Sequence, residues 1–362
     1  MTGDVVGIGI VGTGRWAEAH AEAAARSDNV SIVCCFGPSP DRREAFAVNF
    51  GAHSVASLDQ LIVNEAVEAI IVSTPNDTHV EIATAALAAG KPVLVDKPVA
   101  ADVAQGLRLL RRVDADGPAC AVGHHARRLA GHRAARRWLD SHPAGNARVA
   151  HASFANNRGV GLGADSWKRR GPGAEGGVLT QVGIHQVDNL IYLLGPVRSI
   201  NARFSYGDVG TGIAESAALV MAHAAGALST VTTSWTTPGH YRLDLLTTGA
   251  NLSFRLDYEG WWRDPAVDEH GELVLKEPGA EPAVVSVAGG DPLVEQLEEL
   301  GRTARYRTPI EIGVVDGIRT VAVVHGAIAS AERGGAEVDL GDVLREAGAT
   351  ADEIDLVIGR SD

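Results

Sequence analysis

Short, mainly apolar runs alternate with longer alanine-rich or amphipathic segments through the first third of the chain. Short apolar runs bounded by turn residues are typical of buried strands, and proline-free segments with a periodic apolar face are typical of helices. The predicted strands are VVGIGIV, VSIVCCF, EAIIVSTP, KPVLVDKP and ACAVGHH, and the helices between them include RWAEAHAEAAARS and DTHVEIATAALAAG. Repeated strand–helix units of this length predict a parallel, doubly wound sheet.

The pattern changes in the second half, where apolar and polar residues alternate along longer stretches. Alternation broken by glycine-containing turns is typical of antiparallel strands with one buried face. The predicted strands lie in SINARFSY, AALVMAHAAGALSTVTTSW and RLDLLTTGANLSFRLDY, and helices are predicted at PLVEQLEELGRTA and VVDGIRTVAVVHGAIASAERG. We therefore expect an α+β domain to follow the parallel sheet.

The first predicted strand runs into a turn that carries the pattern G-x-G-x-x-G, or its alanine variant, in two overlapping registers. One register uses Gly7, Gly9 and Gly12, and the other uses Gly12, Gly14 and Ala17. The first would put two glycines inside the strand, whereas the second begins where the strand ends and closes where the helix begins. Glycines in the second arrangement permit a tight turn and let the backbone approach a pyrophosphate at a helix N-terminus. The predicted dinucleotide turn comprises Gly12, Thr13, Gly14, Arg15 and Trp16.

Residues after the second predicted strand bear on the choice of nicotinamide cofactor. NAD-binding folds usually place an acid there for the ribose hydroxyls, but no acid occurs between Val30 and Pro40. Gly37 stands where the acid is expected, and Ser39, Arg42 and Arg43 follow it. A hydroxyl and guanidinium groups suit a 2′-phosphate. The sequence therefore favours NADP, with NAD as the alternative if both arginines only lie on a solvated helix face.

Composition narrows the class of partner. The 362 residues carry 32 Lys and Arg against 45 Asp and Glu, a formal charge of −13, which argues against nucleic acid or an anionic membrane as the main partner. Cys34, Cys35 and Cys120 lack metal-type spacing, so we expect reduced core thiols and no metal site. No basic leader and no apolar stretch of about 20 residues is visible, which favours a cytoplasmic location.

Three landmarks follow one another along the chain: GIVGTGRWAEAH at 9–20, VSTPNDTHVEIATAALAAGKPVLVDKPVA at 72–100, and GGVLTQVGIHQVDNLIYLLG at 176–195. In combination they resemble the Gfo/Idh/MocA family of oxidoreductases. The resemblance extends over roughly residues 4–338 and is far more specific than any single motif.

The resemblance implies an α/β N-terminal Rossmann domain at 1–126 and an α+β C-terminal domain at 127–340 with a large, mostly antiparallel open sheet. An extension at 341–362 has no assigned role. The family implies NADP or NAD as cofactor, a sugar, sugar derivative or cyclitol as substrate, and a homodimer or homotetramer.

The second landmark contains Asp96-Lys97-Pro98, which is similar to the family's Glu-Lys-Pro motif with one acid exchanged for another. The resemblance implies that Lys97 hydrogen-bonds the reacting substrate oxygen and touches the cofactor. An ammonium at the carboxyl end of a parallel strand suits stabilisation of a developing alkoxide. The other implied cofactor contacts are Asp96, Ser73, Thr74, Pro75, Asn76 and His79, with packing as the alternative for His79.

The third landmark departs from the family pattern D-x-G-x-H, because Gln181 replaces the acid while His185 is retained. A histidine suits proton exchange near neutral pH, whereas a glutamine can hydrogen-bond substrate but cannot ionise. We therefore predict His185 as the acid/base and Gln181 as a substrate contact, with a satisfied core histidine as the alternative. Asp188, three residues after His185, is a candidate to orient it.

A long glycine-rich loop precedes this landmark and borders the sugar in the family. Long loops in compact domains are often functional. The predicted substrate contacts are Asn157, Trp167 and Lys168, together with His124 at the end of the last parallel strand. Trp167 could stack on a sugar face or could simply anchor the loop.

Together these features predict hydride transfer between a nicotinamide and a carbinol or ketone carbon. Two alternatives remain open. The exchange of the acid for Gln181 is compatible with a cofactor-binding sensor that has lost its chemistry, and some relatives cleave glycosides through transient oxidation by bound NAD.

Overall fold

The structure is a computed structural model. It describes residues 5–113, 117–142, 147–163, 166–169, 173–207, 213–264, 270–287 and 289–360. The chain divides into two compact units. The first comprises Met1–Ala101, Gln105–His125 and Asp291–Gly317, and the second comprises Asp102–Ala104, Ala126–Gly290 and Ile318–Asp362.

The described residues of the first unit form a six-stranded sheet in which every paired strand is parallel. The strands are β1 (Val6–Val11), β2 (Val30–Phe36), β3 (His53–Ser54), β4 (Ala69–Val72), β5 (Val93–Asp96) and β6 (Cys120–Gly123). The helices of this half are α1 (Arg15–Ala25), α2 (Pro40–Phe50), α3 (Leu58–Ile62), α4 (His79–Ala88) and α5 (Val103–Leu110). The spatial order β3-β2-β1-β4-β5-β6 is that of a dinucleotide-binding fold, which confirms the predicted doubly wound sheet.

The described residues of the second unit form a nine-stranded sheet in which only the β7–β10 pair is parallel. Its strands are β7 (Ala147–Ala155), β8 (Val197–Ser205), β9 (Ser216–His223), β10 (Leu228–Ser234), β11 (His240–Thr247), β12 (Asn251–Leu256), β13 (Gly271–Lys276), β14 (Ala283–Val285) and β15 (Val338–Asp339). The remaining helices of the chain are α6 (Ala130–Ser141), α7 (Ile184–Leu194), α8 (Tyr258–Arg263), α9 (Pro292–Tyr306), α10 (Val314–Glu332), α11 (Leu340–Glu346) and α12 (Ala351–Ile358). The predicted mostly antiparallel sheet is confirmed.

One face of this second sheet is buried by helices. Helix α6 packs against β12 and β13, and α7 packs against β7 and β10. Beneath them lie Phe154, Tyr241 and Phe254, each at most 5% exposed. The alternating side chains, such as Val220 and Leu228, point to the other face and are about half exposed. The period-two pattern in the sequence therefore matches one covered and one open face.

Helix α9 belongs to the first unit, although the sequence analysis placed residues 127–340 in the second domain. Its stripe Leu293, Leu297 and Leu300 is buried in the same core as β1, β2 and α1. Because a leucine stripe at this spacing must be covered, the chain returns to complete the first core. Spacing alone does not reveal which of two cores a stripe will join.

Helix α10 is, among the described helices, long and apolar enough to cross a membrane by length and composition. However, 61% of its most apolar window is buried inside the protein, as in the core helix of a folded domain. Cys34, Cys35 and Cys120 are likewise buried as free thiols.

Candidate active site

The turn between β1 and α1 distinguishes the two glycine registers by their surroundings. Gly12 has a φ of 110°, and a Cβ there would lie 2.0 Å from the Ser73 carbonyl oxygen, so only glycine fits. Gly7 and Gly9 instead lie inside β1, where a Cβ would meet the Ala66 carbonyl oxygen or the Leu61 side chain. These two glycines serve packing.

Gly14 behaves differently from the packing glycines. It is exposed at the N-terminus of α1, and a Cβ there would meet no other atom within 4 Å. The backbone therefore faces open space at the place where a pyrophosphate would approach, next to the partial positive charge of the helix N-terminus. Ala17 is fully buried where the helix meets the sheet. The residues of this turn fit a dinucleotide.

The end of β2 lacks an acid for a packing reason. A Cβ at Gly37 would lie 2.9 Å from the Thr13 hydroxyl oxygen, so Thr13 fills the space beside it. The Ser39 hydroxyl precedes α2 without capping it, and Arg42 is exposed in the first turn of that helix. Arg43 is committed elsewhere, because it donates to the Gly37 carbonyl and to the Ser54 hydroxyl. Ser39 and Arg42 thus lie at the start of α2, close in sequence to Gly37.

The carboxyl ends of β4 and β5 are joined through Asp96. Its Oδ2 accepts a 2.6 Å hydrogen bond from the Ser73 hydroxyl, and its Oδ1 lies 2.8 Å from His20 Nε2 on α1. Burial by itself raises the pKa of Asp96, but His20 and the Ser73 hydrogen bond outweigh it and hold the pKa below its usual value. Asp96 and Ser73, both predicted cofactor contacts, therefore serve the protein's own hydrogen bonding, and Lys97 follows directly.

His79 is also committed to the protein. It is 1% exposed, with Nδ1 2.8 Å from the Pro98 carbonyl oxygen and Nε2 2.9 Å from that of Thr74. Both ring nitrogens are therefore used by backbone groups, and the predicted cofactor contact is replaced by a bracing role. His79 ties the segment after β4 to the segment that carries Lys97. Two predicted cofactor contacts lie between Thr74 and His79 in the chain: Pro75 is exposed, and Asn76 is 3% exposed in a short 3₁₀ turn.

Aromatic rings gather on α1 beside these strand ends. The Trp16 ring lies 5.2 Å from that of His125 and 6.3 Å from that of His20. Burial and the neighbouring Lys97 lower the pKa of His125 to about 3, so its imidazole is neutral at physiological pH. His124 has no exposed surface, and its contact with a substrate stays a prediction. Arg15, beside Trp16, is exposed.

The candidate acid/base of the second unit follows an unusual helical turn. Leu179–Gly183 is a π-helical turn that contains Gln181 and leads directly into α7 with His185 as its second residue. π-Helical turns are rare and occur often at functional sites. A Cβ at Gly183 would lie 2.9 Å from side chains of Leu179 and Thr233, so the turn packs closely on β10.

His185 is 5% exposed and its ring packs 6.1 Å from that of Phe154 on β7. Asp188, the candidate to orient it, forms a buried bidentate ion pair with Arg127 through both carboxylate oxygens. Such a pair fixes α7 against the segment before α6. Asp188 therefore anchors the helix that carries His185.

A second polar chain holds α7 on the sheet. Asn189 Nδ2 donates to the Tyr241 hydroxyl at 2.9 Å, and that oxygen lies 3.4 Å from His132 Nε2. Gln186 donates to the Ser153 carbonyl. Buried polar networks specify one arrangement because their members must keep their partners. The helix that carries His185 is thus fixed from both sides.

The predicted sugar loop is open to solvent. Trp167 is 41% exposed in a 3₁₀ turn, and the Lys168 ammonium lies 5.8 Å from the centre of its ring. Asn157 is exposed after β7. Trp167 and Asn157 therefore present exposed surface that a substrate can contact. Residues 164–165 and 170–172 of the same loop lie outside the described residues. No group of three metal-ligating side chains occurs in the described part of the chain.

The contact of His20 with Asp96 was not predicted from the sequence. One signal was available: Trp16 and His20 are four residues apart on an alanine-rich helix, so they share a face. The two backbone contacts of His79 were not predicted either. The partners of its ring nitrogens are the carbonyl oxygens of Pro98 and Thr74, which no pattern of side chains predicts.

Two family models match the chain. Residues 6–124 match an oxidoreductase family with an NAD-binding Rossmann fold, and residues 132–255 match the GFO/IDH/MocA C-terminal domain. The chain belongs to the Gfo/Idh/MocA family. This membership confirms the resemblance of the three landmarks.

Solved structures share the fold of this Gfo/Idh/MocA protein. A candidate NADPH-dependent oxidoreductase from Desulfitobacterium hafniense is 29% identical with a TM-score of 0.89, and the match covers 94% of this chain and 100% of that one. A levoglucosan dehydrogenase in complex with NADH has a TM-score of 0.81 over 93% of this chain and 99% of its own, at 17% identity. The latter likeness concerns the fold alone.

Among curated relatives, the 1,5-anhydro-D-fructose reductase of Ensifer adhaerens is 30% identical over 205 residues. The match covers 55% of this chain and 60% of that relative. The Gfo/Idh/MocA chain thus spans less than two thirds of this curated relative's length.

Proposed function

We propose that this Gfo/Idh/MocA protein is an NAD(P)-dependent oxidoreductase that moves a hydride between the nicotinamide and a carbinol or ketone carbon of a sugar, sugar derivative or cyclitol. The observation that carries the proposal is the placement of Lys97. It directly follows β5 at the carboxyl edge of a dinucleotide-type sheet and is braced by Asp96 and His79. Ligands of such sheets bind at this edge. The name of the similar 1,5-anhydro-D-fructose reductase supports the substrate class.

Gly12, Gly14 and the N-terminus of α1 would hold the pyrophosphate of the dinucleotide, whose nicotinamide would supply or accept the hydride. The Lys97 ammonium donates a hydrogen bond to the reacting oxygen and stabilises negative charge there. His185 gives up or takes the proton of that oxygen, and Gln181 orients the substrate by hydrogen bonding without ionising.

We further propose that NADP is preferred over NAD. Thr13 occupies the space beside Gly37, and the uncapped Ser39 hydroxyl and exposed Arg42 adjoin the N-terminus of α2. A dianionic 2′-phosphate would be held by the hydroxyl, the guanidinium and the helix N-terminus together. An adenosine ribose with free hydroxyls would find no carboxylate between Val30 and Pro40.

The decisive experiment is a panel of polyols, aldoses, ketoses and cyclitols followed at the nicotinamide absorbance with both cofactors. We expect turnover on at least one panel member and a higher kcat/KM for NADP(H). Arg42→Ala should raise the KM for NADP(H) by about tenfold, because one charge-assisted hydrogen bond to the 2′-phosphate is lost. The KM for NAD(H) should not change. Arg26→Ala, on the far end of α1, is the control.

Tight cofactor binding without turnover across the panel would contradict the enzyme and favour the sensor that the exchange for Gln181 suggests. Product formation without net reduction or oxidation would instead indicate the glycosidase. A kcat/KM at least tenfold higher for NAD than for NADP would overturn the cofactor preference.

A further inference from the structure

The Asp96 carboxylate is a junction between three separate segments of the first unit. It belongs to β5, accepts from Ser73 after β4, and lies against His20 of α1. Gly123 at the end of β6 makes room for it, because a Cβ there would lie 3.2 Å from Asp96 Oδ1. The carboxylate, whose side chain is 17% exposed, thus lies among α1 and the ends of β4 and β6.

His20 holds this junction at a cost. Its side chain is 1% exposed, and Nε2 is the atom that meets the carboxylate. Among the described residues, its buried Nδ1 has no hydrogen-bond partner. An unsatisfied buried nitrogen is unfavourable, so an apolar residue would pack here more comfortably. The bond to Asp96 is therefore the feature that explains a histidine at this position.

The same junction reaches the dinucleotide turn. The backbone of Ser73 packs directly on Gly12, where even a Cβ would collide with the Ser73 carbonyl oxygen at 2.0 Å. The Ser73 amide also donates to the Val11 carbonyl at 2.8 Å. A continuous path of close contacts therefore runs from the turn at Gly12 through Ser73 to Asp96 and on to Lys97.

We propose that His20 is a positioning residue for Lys97, acting with Ser73 through the Asp96 carboxylate to lock the segment after β5 to the dinucleotide turn. The lock fixes the backbone from which the Lys97 side chain extends. His79 braces the other side of Lys97 through the Pro98 carbonyl. The catalytic consequence rests on the proposed function, whereas the lock itself does not.

The lock is tested by competitive labelling of amines with trace acetic anhydride, read peptide by peptide. The chain contains four lysines, Lys91, Lys97, Lys168 and Lys276, and the exposed Lys276 is the internal reference. His20→Leu removes the donor, so the segment that carries Lys97 is held less firmly and its amine becomes more accessible to the reagent. We expect Lys97 in this variant to label about threefold faster or more relative to Lys276.

Two further variants separate positioning from general loosening. His20→Gln restores a donor and should return the labelling of Lys97 to within about twofold of the unaltered protein. Lys91→Met removes two buried hydrogen bonds, to the Asn64 and Val67 carbonyls, before the start of β5. It should lower thermal stability and leave the labelling of Lys97 unchanged.

If His20→Leu does not fold, Ser73→Ala removes the other hydrogen bond to Asp96 and should raise Lys97 labelling in the same direction. Labelling of Lys97 at the unaltered rate in a folded His20→Leu or Ser73→Ala protein overturns the proposal. So does an equal increase in Lys91→Met. None of these readouts needs a substrate, so they decide the lock even where the panel finds no turnover.

With a substrate in hand, the lock has a kinetic signature. The titratable groups that act on Asp96 are His20 of α1, His79 of α4 and His125 after β6, and His125 in turn is next to Lys97. Without His20, burial raises the pKa of Asp96, so the acidic limb of the kcat–pH profile should move toward neutral pH. We expect kcat of His20→Leu to fall about tenfold while the Kd for the dinucleotide changes less than about threefold. An unmoved acidic limb contradicts a positioning role.

Discussion

At the scale of single residues, the proposed reaction depends most on Lys97, whose ammonium would stabilise negative charge on the reacting oxygen. An ammonium beside a developing alkoxide acts in the transition state more than in the ground state, so its loss should lower kcat more than it weakens binding. We expect Lys97→Met to lower kcat/KM by about 10³-fold and to leave the dinucleotide Kd within about threefold.

The matched control for that substitution is Lys91→Met, the same exchange before the other end of β5. Its ammonium holds two backbone carbonyls instead of facing the carboxyl edge of the sheet. Single-turnover kinetics with both variants separates chemistry from binding. A Lys97→Met protein that keeps kcat within about tenfold of the unaltered enzyme would remove Lys97 from its assigned role.

Residues recognisable by a motif could be predicted, and residues recognisable only by a partner could not. Lys97 and Asp96 stand in a three-residue signature, and Gly12 and Gly14 in a spaced pattern. His20 gains its role from an aspartate 76 positions away. Because that contact is created by the parallel order of β1, β4 and β5, the pattern of α1 shows that His20 shares a face with Trp16 but not that it meets Asp96.

At the scale of elements, the β1–α1 unit separates a glycine needed for folding from one needed for a ligand. A Cβ at Gly7 would lie 2.0 Å from the Ala66 carbonyl oxygen, whereas a Cβ at Gly14 meets nothing within 4 Å. Gly14→Ala should therefore change the unfolding free energy by less than about 1 kcal/mol while weakening dinucleotide binding by about tenfold or more.

Gly7→Ala is the partner experiment, with substantial destabilisation of about 2 kcal/mol or more expected from overpacking inside a buried strand. Chemical denaturation and dinucleotide titration of both variants give the two quantities. Unimpaired dinucleotide binding by Gly14→Ala would mean that the open space beside this glycine is not where the pyrophosphate lies.

Element types followed from the sequence more readily than element membership. The strands and helices that periodicity predicted in both halves occur in the structure, since a buried face imposes its period on the sequence. The short strands β3 and β15, the strands β13 and β14, and helix α8 were not predicted. Helix α9 was assigned to the wrong unit because Leu293, Leu297 and Leu300 say only that a face is buried. The π-helical turn at Leu179–Gly183 was also unforeseen, because one extra residue in a turn leaves no mark on so short an apolar run.

At the scale of the whole molecule, buried histidines predict how stability depends on pH. Burial lowers the pKa of His125 to about 3 and that of His132 to about 4, from an ordinary 6.5. Between pH 6.5 and 4 the unfolded chain therefore binds protons that the folded chain does not, and stability falls as the pH falls. The slope for each histidine approaches about 1.4 kcal/mol per pH unit inside its window.

Thermal unfolding measured from pH 8 to about pH 4 checks this slope against variants. His132→Gln should flatten the fall in Tm over this range, and the exposed His53→Gln should not. An identical pH dependence in His132→Gln and the unaltered protein would show that the burial of this imidazole does not govern acid stability.

The open face of the second sheet bears on the expected homodimer or homotetramer. Val220 and Leu228 lie on adjacent strands of this face and are about half exposed. The same sheet carries a concavity of about 590 Å³. Its lining residues are Ser153, Ala155, Arg203, Phe204, Ser205, Ser216, Ala217, Ala218, Thr232, Thr233, Ser234, Thr237 and His240. Apolar side chains grouped on an open sheet face favour contact with another surface, and a self-complementary face generates a closed symmetric dimer. We propose that a second copy covers it.

Light scattering coupled to size exclusion should therefore give at least twice the mass of the 37.7 kDa chain. Val220→Asp combined with Leu228→Asp would bury like charges across such an interface and should shift the protein to monomer, because buried unpaired carboxylates cost several kcal/mol. Val48→Asp removes an exposed valine from α2 in the first unit and should leave the mass unchanged. An unaltered protein that elutes as a monomer would contradict the proposed dimer. An oligomer that survives both aspartates would place the interface on another surface.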